Sequence, residues 1–231
     1  MTEWMVRDYI YDPSDPLDAD IIAVHKAVSP LGGVIAGGAA RWMDPCGRGY
    51  LGESGPLFPG DIDVFMLRGG DAAGVHAALH DLGWRLHRRQ GTTVTSKRPD
   101  HLNVQVVRGG DIGFKVWNTP QEVLEDFGFT VEMFALIQPG VLTTSQARQD
   151  VYTRTLVPQH VVDPIRLTWR VMKYARKGFT MHPNKMTDLF RAYEEASAVQ
   201  KRAWVARNLF AGEDGVAYDV DPDTDFAPSK P

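Results

Sequence analysis

The sequence predicts an α+β protein in which a small mixed sheet flanked by helices is followed by a C-terminal helical domain. Three observations carry this. Residues 61–67 and 102–107 alternate with the period of two that belongs to strands. Between them, Ala72, Val75, Ala78, Leu79 and Leu82 recur at helical spacing and stop at Gly83, which predicts a crossover helix over 71–82. From Asp163 onward the apolar pattern is helical. The expected division is a sheet-bearing domain over 1–150, a helical domain over 151–212 and an acidic tail over 213–231.

Taken in order, Asp12-Pro13-Ser14-Asp15-Pro16 is a turn signal. Ile21, Ile22, Val24 and Ala27 then predict a short helix ahead of the first strand, residues 33–36. Arg41-Trp42-Met43 opens a turn or short helix. Residues 44–60 hold five glycines and three prolines, too many breakers for regular structure. Past the crossover helix, strands are expected over 92–96 and 102–107. Thr119-Pro120-Gln121-Glu122 starts a capped helix over 120–127, and an apolar segment follows over 129–136, interrupted by Glu132. The helical part reads as one helix from Asp163-Pro164 and a second over roughly 185–210.

The composition is that of an ordinary globular chain. It has 231 residues, 43% of them hydrophobic, enough for one large or two small domains. A single cysteine, Cys46, rules out an internal disulfide. No apolar run reaches membrane-spanning length and the N-terminus lacks a signal-peptide layout, so a cytoplasmic protein without a membrane partner is expected. The net charge of −4 is unevenly spread. Residues 1–150 carry 13 basic and 19 acidic side chains, residues 151–210 carry 11 and 4, and residues 211–231 carry 1 and 6. The basic segment suggests an anionic partner, and the acidic end a competitor for it.

Chemistry concentrates in two places. A Gly37-Gly38 pair directly after a strand lets backbone N–H groups approach a phosphate closely, and Arg41 follows it. Asp61 and Asp63, separated by one apolar residue at the start of a strand, share a face. Two hard carboxylates on one face suit Mg²⁺ bound to a nucleoside triphosphate. A third acid is sought on the next strand, where Asn103 and Gln105 stand instead, both poor Mg²⁺ ligands. Glu132, a charge within an apolar run, is a further candidate for the site. In the helical part, Arg166, Arg170, Lys173 and Lys177 fall on one face of a single helix as a basic stripe. Ile165, Leu167, Trp169, Val171, Met172 and Tyr174 form its expected buried remainder, and the second helix is expected to bury Met186, Leu189, Phe190 and Tyr193.

In these segments the chain resembles the nucleotidyltransferase superfamily, and within it the class II CCA-adding enzymes and bacterial poly(A) polymerases. The family's Gly-Gly-x-x-Arg is matched by Gly37, Gly38 and Arg41, and its Asp-x-Asp strand by Asp61-Ile62-Asp63. Its Asp-Phe-Thr-Ile-Asn-Ala segment is similar to Gly128-Phe129-Thr130-Val131-Glu132-Met133. Its Asp-Pro-x-Arg helix is similar to the stretch from Asp163-Pro164-Ile165-Arg166 through Tyr174-Ala175 to Gly178-Phe179. The chain departs from the family at Trp42, Gly128 and Glu132, and lacks the Glu-Asp-x-x-Arg element that selects C and A. The resemblance implies a nucleotidyltransferase-fold catalytic domain with a helical neck, moving a nucleoside monophosphate from ATP or CTP to an acceptor hydroxyl. Asp61 and Asp63 would hold Mg²⁺, and Gly37, Gly38, Arg41, Thr130 and Glu132 would bind the nucleotide.

The acceptor is most simply an RNA end such as that of tRNA, contacted by Lys173 and Lys177. Two other readings stay open: nucleotidylation of a protein or small molecule, and a catalytically silent nucleotide- or RNA-binding protein of the same fold. The oligomeric state is not legible in the sequence.

Overall fold

The computed structural model describes residues 3–49, 55–90, 92–109, 115–161 and 163–209. The acidic stretch 213–231 lies outside them. The scaffold is an eight-stranded sheet. Its strands are β1 (Trp4–Arg7), β2 (Gly33–Ala36), β3 (Asp61–Met66), β4 (Arg85–Gln90), β5 (Thr93–Lys97), β6 (Asn103–Arg108), β7 (Ala135–Leu136) and β8 (Val141–Thr144). Their order is β1-β8-β7-β2-β3-β6-β5-β4, with β3 and β6 parallel and every other pair antiparallel. The sheet is larger than the sequence suggested. A strand, not a helix, comes first: β1 forms one edge against β8. The other edge, β4, has no strand signal in the sequence, since Arg-Leu-His-Arg-Arg-Gln shows no apolar alternation.

Alternation fixes the two faces of the sheet. Along β3, Ile62, Val64 and Met66 are buried while Asp61, Asp63 and Phe65 are half-buried. The apolar face meets α1 (Pro16–Val28) and α3 (Ala72–Asp81), and a Cβ added at Gly33 would touch both Val28 and Val64 at about 3.0 Å. On the other face, Phe65 packs edge-on against Trp117 and Phe127, so that face is dry at one end. Asp61 and Asp63 occupy the other end.

Local chemistry sets the element ends. Asp15 caps α1 by accepting from Leu17 N at 2.9 Å, with Pro16 at the first helical position, and Asp71 caps α3 through Gly74 N at 2.9 Å. Thr119 and Pro120 start α4 (Pro120–Glu125) as the sequence signalled. The breaker-rich stretch 44–60 is irregular where it is described, yet it is anchored. Arg48 pairs with buried Asp18 of α1, stacks 4.8 Å over Trp42, and Leu57 is buried. No described helix is long and apolar enough to cross a membrane.

The helical part differs from expectation in three ways. The first helix, α6 (Pro164–Ala175), follows α5 (Ser145–Tyr152) and stops before Lys177, so the basic stripe is not one helix face. The expected second helix is two, α7 (Pro183–Glu195) and α8 (Ala198–Leu209). Ser197 and Gln200 make reciprocal side chain to backbone bonds of 3.2 and 3.0 Å, a capping box that starts a new helix. Trp169, Met172 and Phe190, expected inside, are more than half exposed or nearly so, while Leu167, Tyr174 and Leu189 make the seam.

Candidate active site

The glycine turn and the aspartates meet in one cleft. β2 pairs antiparallel with β3 so that Ala36 lies opposite Asp63, which brings the residues after Ala36 beside the carboxylate. Gly37 has φ +78 and ψ −132, a backbone region that is essentially glycine's own, and a Cβ there would sit 4.0 Å from Asp63 Oδ2. Gly38 is the first residue of α2 (Gly38–Trp42) and has no positive φ; a Cβ on it would meet Pro59 at an ordinary 3.7 Å. The conformational demand for glycine therefore falls on Gly37.

Asp61 and Asp63 lie on the half-open face of β3, with Asn103 and Gln105 beside them on β6. Gln105 Nε2 donates to Asp61 Oδ2 at 2.7 Å, so the residue at the position sought for a third acid holds one carboxylate instead. Burial, and then the neighbouring charge of Asp61, push Asp63 up to about 8, against the pull of Arg170 and Lys173. Two mutually repelling carboxylates on an accessible face are a hard-oxygen donor set that fits Mg²⁺. Among the described residues no cluster of three or more acids, histidines or cysteines adds to it.

Behind this cleft is a buried polar network that the sequence did not reveal. Arg41, 1% exposed, donates from Nη1 to Val131 O at 2.9 Å and lies 5.9 Å from the centre of the Tyr174 ring. Tyr174 Oη donates to Glu132 Oε1 at 2.9 Å, and Arg170 pairs with the same carboxylate. Burial and the Glu132 charge raise the Tyr174 hydroxyl to about 12. Glu132 Oε2 and Arg41 Nε have no partner among the described residues. Thr130 is also turned inward: its hydroxyl donates to buried Asp150, whose own carboxyl is raised by desolvation. Arg41, Thr130 and Glu132, expected to touch nucleotide, thus present no open side chain to the cleft.

The residues at which the chain departs from the family motif are packed against their neighbours. Trp42 Nε1 donates to Asp18 Oδ1 at 2.8 Å. A Cβ at Gly128 would lie 2.4 Å from Leu167 Cδ2 of α6, and Glu132 receives Arg170 and Tyr174 of the same helix. Gly128 and Glu132 together let α6 dock closely on the 128–134 segment.

That docking carries the cations to the cleft. Lys173 is exposed and near enough to Asp63 to oppose its rise, and Arg170 does so as well. Half-buried Lys177 donates to Phe58 O at 3.3 Å, three residues before Asp61; burial and the charges of Arg41 and Lys173 lower its pKa, which Asp61 partly restores. Phe58 stacks on Trp42 at 4.9 Å and leaves 60% of itself exposed at the same mouth, a feature with no signal in the sequence. Arg166, one turn before Arg170 in the stripe, is exposed.

No family model and no curated protein matches this chain. Solved structures do. The Thermotoga maritima CCA-adding enzyme complexed with tRNA aligns over 89% of this chain and 50% of its own, at 15% identity and TM-score 0.57. A CCA-adding enzyme complex with CTP aligns over 84% and 48%, at 17% identity and TM-score 0.58. A tRNA nucleotidyltransferase with a primer tRNA and an incoming ATP analogue aligns over 81% and 56%, at 17% identity and TM-score 0.51. The chain spans about half the length of these proteins. Its eight-stranded mixed sheet and following helices are the fold of the CCA-adding enzymes and tRNA nucleotidyltransferases.

Proposed function

We propose that this protein transfers a nucleoside monophosphate from an NTP, ATP or CTP, to an acceptor hydroxyl, most simply at an RNA 3′ end. The observation that carries this is the meeting of the Gly37 turn with Asp63 Oδ2, which leaves backbone bare of side chain beside a carboxylate pair. The fold it shares with proteins solved with CTP, an ATP analogue and tRNA supports the same reading.

In this reading Asp61 and Asp63 hold Mg²⁺, which when bound neutralises the triphosphate and lowers the pKa of the attacking hydroxyl. The chain's own residues do the positioning. Backbone N–H groups after Gly37 receive the phosphates, a role glycine permits because no side chain fills the approach. Lys173 and Lys177 balance charge on the triphosphate and departing pyrophosphate, a function their place by the aspartates favours over a remote RNA contact. Gln105 fixes the rotamer of Asp61. Arg41, Glu132, Arg170 and Tyr174 act from behind, holding α6 where Lys173, and Lys177 just past its end, reach the cleft. The acceptor oxygen bonds to the α-phosphorus, its proton is released, and the bond to pyrophosphate breaks. Positioning and charge neutralisation supply most of the rate in such transfers.

Incubation with labelled NTPs, Mg²⁺ and total RNA tests the proposal. Label should enter RNA and depend on Mg²⁺. Label in protein or small molecules instead would move the acceptor class, and NTP binding without any transfer would favour the silent protein, the reading to which Gln105 in place of an acid lends support.

A further inference from the structure

The face of the sheet that carries Asp61 and Asp63 does not end at β3. Register continues it: Asp63 lies beside Gln105 of β6, Gln105 beside Thr95 of β5, and Thr95 beside Arg88 of β4. Lys97 shares this face with Thr95 by alternation, and Arg85 lies opposite Lys97. The row is polar throughout, and its side chains are half-exposed or exposed. Three inter-strand spacings separate the carboxylates from the arginines, about 14 Å.

A β-bulge makes the basic end of this row. Arg85 and Arg88 are three apart, so in a regular strand they would point to opposite faces. The register shift between Leu86 and Arg88 inserts His87 as an extra residue and returns both arginines to register positions of the aspartate face, although Arg85, at the exposed edge, also donates from Nη1 to His80 O at the end of α3. Charges on an edge strand are commonly a guard against edge-to-edge pairing. That purpose does not require two arginines on one face, nor a lysine beside them on the next strand.

We propose that the open face of β6, β5 and β4 is the track on which a single-stranded polynucleotide acceptor lies, its terminal hydroxyl at Asp61 and Asp63 and its phosphates toward Arg85, Arg88 and Lys97. This rests on the transfer reading above. A chain whose end reaches the aspartates must leave along a surface continuous with them. The glycine side is taken by the triphosphate and the α6 side by Lys173 and Lys177, and Trp117 and Phe127 close the Phe65 end. Among the described residues, the amide and hydroxyl row is the surface that continues from the aspartates. It ends in cations, which suit a phosphodiester backbone and give it register without reading sequence.

The test uses the full chain and a fluorescent single-stranded oligoribonucleotide, with anisotropy read across a salt series. Arg85→Gln with Lys97→Gln should keep the wild-type melting temperature and Mg-ATP affinity while making the slope of log K on log salt shallower by about 1.4, since each phosphate-neutralising cation contributes about 0.7 on a single strand. If the double variant does not fold, Lys97→Gln alone should shift the slope by about 0.7. In the unaltered protein, a 4-thiouridine oligonucleotide should crosslink within residues 85–105. A folded variant with the wild-type slope, or crosslinks confined to α6–α8, would overturn the track. If Mg-ATP binds and label goes to a protein or small molecule while the oligonucleotide does not bind, the track fails and transfer stands. If Mg-ATP does not bind but the slope and crosslinks come out as stated, transfer fails and the surface stands as a polynucleotide site.

Discussion

Glu132 and Arg170 form the ion pair that ties α6 to the 128–134 segment, and it is built on one side only: the glutamate side chain is 3% exposed and the arginine 35%. Removing the arginine therefore leaves an uncompensated buried charge, whereas removing the glutamate leaves a cation that can turn to water. Arg170→Ala should lose about 3 kcal/mol or more, near the range for breaking a buried pair, and Glu132→Gln less. The double variant Arg170→Ala with Glu132→Gln should be more stable than Arg170→Ala alone. Urea unfolding measures all three, and simple additivity of the losses would show that the pair is not coupled.

Asp61→Asn and Asp63→Asn should each reduce transfer by orders of magnitude at unchanged fold. Burial and the repulsion of Asp61, which together raise Asp63, supply a second readout. Millimolar Mg²⁺ should raise the melting temperature of the unaltered protein and have little effect on Asp63→Asn. An equal rise in both would detach the ion from this pair.

The two glycines should behave differently. Gly37→Ala forces a side chain into a glycine-only backbone region, at a cost of about 1–3 kcal/mol, and should weaken NTP binding as well. Gly38→Ala meets only an ordinary contact with Pro59, so its melting temperature should stay near wild type. Calorimetric NTP titration of the folded Gly38→Ala protein then asks whether phosphate needs that space; wild-type affinity would make the pair a turn and nothing more.

Lys173→Gln with Lys177→Gln should raise KM for the NTP several-fold and change the melting temperature little, because substitutions at exposed positions such as Lys173 rarely move stability by more than about 0.5 kcal/mol and half-buried Lys177 has a single backbone acceptor. An effect on RNA affinity with NTP kinetics untouched would return these lysines to an RNA-contact role.

Two histidines with buried ring nitrogens should take stability away in mild acid. Burial lowers the pKa of His25, which is 4% exposed with neither ring nitrogen bonded among the described residues, and it lowers that of His76, likewise unpartnered. Below the unfolded value of about 6.5 the unfolded chain takes up these protons first, so stability present above that pH is lost as pH falls through it. Asp63 and Asp150, whose carboxyls are raised, act in the opposite sense, Asp63 from about pH 8 downward and Asp150 at lower pH, so the histidine contribution is read from the difference between variants. His25→Leu should flatten the slope of melting temperature on pH between about 5 and 7; an undiminished slope would assign it to other groups.

The sequence by itself determined the class of fold, the β2–turn–α2 glycine element, the Asp61 and Asp63 pair on one strand face, the α3 crossover and the starts of α4 and α6. All of these rest on local rules: alternation, helical spacing, Pro at the first helical position and glycine where the backbone demands it. Only the tertiary structure decided what long-range pairing controls. β4 carries no apolar period, because an edge strand has little core to face, and its bulge has no sequence signature. Arg41 and Thr130 read as ligand contacts because their motif lies beside the glycines and the 128–134 segment. Packing instead turned them inward, onto Val131 O and Asp150. Trp169 and Met172 read as core from spacing alone, but a helix has one buried stripe, and Leu167 and Tyr174 took it because Gly128 leaves room for Leu167 and Glu132 offers Tyr174 a hydrogen bond.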